Sequence, residues 1–173
     1  MHVAIMFPLL TTGHYGGGKW EISIVEIVWG VGMLIGGSVL GLQRIQLSKI
    51  ILVNTMHIIL GITFVLSGWF PASWFIGFVL VTGLGGIAMS IFSAAFMTTI
   101  QEEVAPDKLG RVFSLYFSMA ILPSLVGLLY TGFIAEIIGL SEAFLVSGAF
   151  VILVGVASFL TPDLMRLGRN KVG

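Results

Sequence analysis

The sequence predicts an all-α membrane protein with five full transmembrane helices and a partial one at its N-terminus. Of its 173 residues 57% are hydrophobic and only 9% are charged, with a mean hydropathy of +1.10. That leaves too little polar surface to cover a soluble globule. Five apolar runs each approach the roughly 20 residues that a helix needs to cross the hydrocarbon layer. The period-two alternation of barrel strands does not dominate them. Seven of the eight Lys and Arg residues then fall in alternate connections or in the tail, as a polytopic chain with a fixed orientation requires.

Residues 1–12 are apolar, contain Pro8, and lack the basic n-region and cleavage site of a signal peptide. Twelve residues rise only about 18 Å as a helix, so this segment is expected to be the tail of a span that begins upstream. Three glycines and Trp20 mark the first connection, Trp being an interfacial residue. The full spans are expected at about 22–42, 50–68, 75–100, 113–135 and 143–160. Arg44 and Lys49 separate the first two, and Trp69, Pro71 and Trp74 form an uncharged turn after the second. Glu102, Glu103, Asp107, Lys108 and Arg111 crowd the connection before the fourth, and the one before the fifth has no Lys or Arg. Residues 161–173, with Arg166, Arg169 and Lys171, form a polar tail. Because positive charge stays in the cytoplasm, the tail, the Arg44–Lys49 connection and the Asp107–Arg111 connection are expected inside, leaving Lys19 outside.

The faces of these spans nominate candidate residues. At 100° per residue, Glu26, Gly30, Gly37 and Gly41 lie within about 60° of one another, and Gly32 and Gly36 occupy another face. Glycines on two faces let the helix pack closely against more than one neighbour. A carboxylate more than a turn inside a span is costly. Glu26 is therefore expected either to face the bundle or a water-filled cavity, where it can exchange a proton, or to snorkel toward Lys19 and Trp20. Asn54, His57 and Gly61 share one face of the second span, and Thr82, Gly83, Gly86, Ser90 and Ser93 share one of the third. Both stripes are expected to look inward, which makes Asn54, His57, Ser90 and Ser93 candidates for a substrate or proton pathway beside a purely structural, hydrogen-bonding role. Pro123 removes a backbone donor in mid-span and is expected to kink the fourth helix.

Zero formal charge gives no reason to expect a nucleic-acid partner, and the absence of cysteine excludes disulfides and thiolate metal sites. There is no phosphate-binding glycine loop, no HExxH and no GxSxG motif. These absences count against ATP as an energy source and against an intramembrane enzyme, which stays, with a non-transporting scaffold or degenerate fragment, as an alternative to the ion-gradient-driven transporter that a family resemblance implies; no cofactor or metal is expected.

The string Pro106-Asp107-Lys108-Leu109-Gly110-Arg111-Val112, followed by Pro123, Gly127, Gly132, Glu136 and Gly139, resembles the loop between the tenth and eleventh helices, and the eleventh helix itself, of the major facilitator superfamily. Within it the likeness is to the macrolide-efflux-like branch of drug exporters. Pro8-Leu9-Leu10, the Gly16-Gly17-Gly18 turn and the helix from Glu26 to Gly41 look like helices seven and eight of that branch. The resemblance implies the C-terminal six-helix half of a twelve-helix exporter in a plasma or bacterial inner membrane, which works by alternating access and exchanges a small hydrophobic substrate for protons. It implies as partners the lipid bilayer and a missing N-terminal half, or another half-transporter. It also implies a cytoplasmic gating loop formed by Asp107, Gly110 and Arg111, where charge pairs and a close-packed glycine hold one conformation; Gly30, Gly37, Gly41, Gly127 and Gly132 are expected to serve helix packing.

Overall fold

The computed structural model describes residues 3–42 and 49–160, with side chains described at 6–41, 49–121 and 137–160. Arg44, the tail 161–173, and the side chains of Pro123, Gly127 and Gly132 lie outside the described residues. Most of the described residues are helical, in α1 (Val3–Gly13), α2 (Lys19–Leu42), α3 (Lys49–Trp69), α4 (Phe75–Glu103), α5 (Leu109–Ile138) and α6 (Leu140–Phe159). Among the described residues four helices, α2, α3, α4 and α6, are long and apolar enough to cross a membrane. α5 is 30 residues long, and its stretch Leu109–Ile121 is apolar. The chain is therefore an integral, multi-pass membrane protein that meets the lipid bilayer with its helices.

Local chemistry sets the ends of the helices. Before α2, the Gly18 N–H donates to Glu21 Oε2 at 2.7 Å, a carboxylate reaching back over the first turn to an otherwise unpaired amide. α5 and α6 are joined by Gly139 alone, at φ +98°, a backbone shape open to glycine and strained for other residues. Pro71 opens a short 3₁₀ turn, Ala72–Trp74, that carries the chain from α3 into α4.

α1 touches α2 and α6, α2 touches α4, α4 touches α3, and α3 touches α6, so five helices close a ring; α5 lies against α6 and reaches α4 where Tyr116 meets Phe96 at 5.3 Å between ring centroids. Gly32 and Gly36 of α2 meet Gly83 and Ile87 of α4 in rising order, so these two helices run parallel. Along α3 and α6 the order reverses, from Asn54 with Ser158 through Gly61 with Gly148 to Gly68 with Ser141. These two are antiparallel. One end of the bundle thus holds Lys19, Trp69, Trp74 and Glu142, and the other holds Lys49, Glu102, Glu103, Asp107, Lys108 and Arg111. Trp20, Trp69 and Trp74 are 82%, 71% and 59% exposed at the first end, where amphipathic rings suit the membrane–water interface.

The core is aromatic and centres on the shortest helix. Phe7 of α1 packs against Trp29 of α2, Phe64 of α3, Phe78 of α4 and Phe144 of α6, at centroid distances of 5.2, 6.1, 5.9 and 5.9 Å. The partial N-terminal helix is thus the hub of the aromatic half of the bundle.

The connection after α1 also ties down the end of α3. The last carbonyls of a helix have no partner within it, and near lipid an unpaired one is expensive. Here the Ser67 carbonyl accepts from Tyr15 Oη at 2.8 Å, the Gly68 carbonyl accepts from Ser141 Oγ, and His14 Nε2 donates to the Phe70 carbonyl at 2.9 Å. Burial pushes the Tyr15 phenol up to about 12, against an ordinary value near 10. Below pH about 10 both folded and unfolded chains keep this proton; above it the unfolded chain releases it first, so stability falls as pH rises toward 12. Thermal unfolding followed by circular dichroism between pH 9 and 12 is expected to show this alkaline loss, and Tyr15→Phe is expected to diminish it.

Candidate functional site

α2 divides lengthwise into three strips. Its seam is Val25, Val28, Trp29, Gly32 and Gly36. Gly83 lies against Val28, Gly85 against the Trp29 ring and Gly86 against the Trp29 carbonyl. A Cβ on Gly36 would stand 2.6 Å from the Ile87 carbonyl oxygen, so the two backbones are in direct contact. One flank of this seam is bulky and exposed, with Ile24, Ile27, Val31 and Ile35. The other flank carries Glu26, Gly30, Gly37 and Gly41. Glu26 is exposed, among the described residues nothing lies within 4 Å of a Cβ at Gly30 or Gly41, and a Cβ at Gly37 would stand 3.4 Å from Ser90 Oγ. Among the described residues the close contact is made by Gly32 and Gly36 rather than by Gly30 and Gly41, because their partners on α4 are glycine or present backbone.

Asn54 and His57 do not share this open flank. Asn54 Oδ1 accepts from Ser158 Oγ of α6 at 3.0 Å, and the His57 ring lies 5.2 Å from that of Phe92 on α4. Gly61, on the same stripe, meets α6, where its Cβ would stand 2.9 Å from the Gly148 carbonyl oxygen. This stripe looks inward, yet into a seam between helices. On α4, Thr82 is fully buried and donates to the Phe78 carbonyl at 2.9 Å. Ser90 faces Gly37 at the edge of the open flank, and Ser93 is half-buried. Glu26 and Ser90 thus border one strip, and Asn54 and His57 occupy another.

At the charged end, Lys49 begins α3 and pairs with Glu102 near the end of α4. Sequence reasoning placed Lys49 only as an orienting charge; the missed signal is that two antiparallel spans bring a basic start beside an acidic finish. The pair is half-exposed, so it adds little stability. Asp107 and Arg111 are exposed around the start of α5, and Gly110 has open space at its Cβ position. Among the described residues nothing stands within 4 Å of a Cβ at Gly110. An open groove of about 540 Å³ runs along Gly110, Arg111, Ser114, Leu115 and Ser118. Among the described residues no cluster of His, Cys, Asp or Glu is placed to hold a metal ion.

The sequence is 33% identical to macrolide efflux protein A of Streptococcus pyogenes over 167 residues, 96% of this chain and 41% of that protein. It is 36% identical to macrolide efflux protein A of Enterococcus faecalis over 128 residues, 74% of this chain and 40% of the relative. An uncharacterized MFS-type transporter of Bacillus subtilis is 31% identical over 157 residues, covering 84% of this chain and 35% of the relative. The chain thus spans about two fifths of the length of the first two relatives. Residues 1–171 match the sequence pattern of the Major Facilitator Superfamily, and the chain belongs to that family.

Proposed function

We propose that this chain is the C-terminal six-helix half of a secondary transporter that exports drugs or small hydrophobic metabolites, exchanging them for protons by alternating access. The observation that carries the reading is the open flank of α2. Glu26 sits seven residues into α2, about 10 Å along its axis. It shares its strip with three glycines, two of which meet nothing among the described residues. The opposite flank has the bulky apolar surface suited to lipid. A carboxylate in hydrocarbon is costly, so its strip belongs against a second half or a water-filled cavity between halves. There Glu26 holds and releases the coupling proton, with Ser90 and Ser93 on the α4 side of the pathway.

The relatives named for macrolide efflux support a hydrophobic drug as the substrate class. Lys49, Lys108 and Arg111 at one end against Lys19 at the other support an orientation with the charged end, and hence the tail, in the cytoplasm of a plasma or bacterial inner membrane. On this reading Asp107, Gly110 and Arg111 gate the cytoplasmic side by packing against the other half, which fits their exposure here.

The test uses the full-length protein in cells. Expression is expected to lower macrolide accumulation, and Glu26→Gln, or collapse of the proton gradient, is expected to restore it to the level of cells lacking the transporter. Undiminished efflux by the Gln variant at equal membrane abundance removes Glu26 from the mechanism.

A further inference from the structure

We propose that Asn54, Ser158 and His57 form an internal hydration site that holds one water molecule along the seam between α3 and α6. Asn54 is only 5% exposed. Its Oδ1 is engaged by Ser158 Oγ at 3.0 Å, and its Nδ2 has no hydrogen-bond partner among the described residues. Turning the amide over exchanges the roles without removing the difficulty, since Ser158 then accepts from Nδ2 and Oδ1 is left free. In either orientation one end of a buried amide seeks a partner, at a cost that makes an unpaired group there a rarity.

The surroundings define that partner. It is neutral, because among the described residues no ionised side chain reaches this seam. The ion pair of Lys49 with Glu102 begins five residues earlier on α3, about 7.5 Å along the axis, and a lone ion in an apolar seam is strongly disfavoured. The partner both donates and accepts, so that it satisfies the amide in either orientation. It is also small. On the aromatic side the seam is closed: a Cβ at Gly155 would stand 2.7 Å from Ile58 Cγ1, and one at Gly61 would stand 2.7 Å from Ile152 Cγ1. Water meets all three conditions, and buried waters of this kind serve otherwise unsatisfied polar groups. His57, three residues beyond Asn54 on the same face, provides the next polar group, its ring held against Phe92. A water between the two bonds one ring nitrogen and so selects the imidazole tautomer. This site is independent of the exporter reading, since it lies off the Glu26 flank.

The experiment is water-edited solid-state NMR on the isotopically labelled chain in lipid bilayers. The Asn54 side-chain amide is expected to receive water magnetisation as early as the exposed Asp107–Lys108 turn does, and the His57 ring nitrogens are expected to show one neutral tautomer. Asn54→Leu is expected to change the His57 tautomer ratio. An Asn54 amide that stays dark at mixing times that fill the Asp107–Lys108 turn overturns the proposal, as does a His57 spectrum unchanged in Asn54→Leu. The first measurement uses the unaltered chain, so it decides the matter even where the variant does not fold.

Discussion

Phe7→Ala is expected to destabilise the bundle by about 2–4 kcal/mol, the largest effect of any single truncation here. In water, removing a buried Phe costs both the lost transfer from solvent and the cavity left behind. In a bilayer the transfer contribution shrinks, because the unpacked ring rests in lipid rather than water. The cavity contribution remains. Phe7 touches rings from four other helices, and five separate backbones would have to move to refill its space. Dispersion contacts that no partner replaces are lost outright. The control is Phe150→Ala on α6, where the ring is 67% exposed and its loss is expected to stay within about 0.5 kcal/mol. Reversible unfolding in mixed micelles, followed by circular dichroism, reads both. Equal losses at Phe7 and Phe150 would show that α1 is peripheral.

That Phe7 is central was not legible in its neighbourhood of the sequence. Residues 1–12 read as a remnant, too short to cross a membrane, and nothing local says which helices surround it. The partners lie on four other elements, and only the closed order of helices brings their rings together. By contrast, the helices themselves and their alternation were legible, because apolar length and the placement of Lys and Arg are local properties that the bilayer reads directly. The stripe of Asn54, His57 and Gly61 was legible as inward-looking. Its destination was not, since a polar residue aimed into a pathway and one aimed into a seam have the same spacing. The seam is settled by Ser158 and Gly148, more than 80 residues further on.

Gly36→Val and Gly30→Val separate the two glycine faces of α2, and the separation bears directly on how this chain works. At Gly36 the new side chain meets the Ile87 backbone, which cannot rotate away, so α2 must lift from α4 over its length. The expected loss is about 3 kcal/mol in the same unfolding measurement, at the upper end for overpacking. At Gly30 a Cβ meets open space, and in this chain Val is expected to leave stability within about 0.5 kcal/mol of the parent. The two faces are alike in letters; what distinguishes them is that Gly83 and Gly86 on α4 match one and no described residue matches the other. If the open flank meets a second half, Gly30→Val in the full-length protein is expected to abolish export while the isolated chain stays folded, because the fault lies in a contact that no described residue of this chain makes. Equal destabilisation by both variants in the isolated chain would mean that the strip bearing Glu26 is already occupied within this half, and Glu26 would then need a different role.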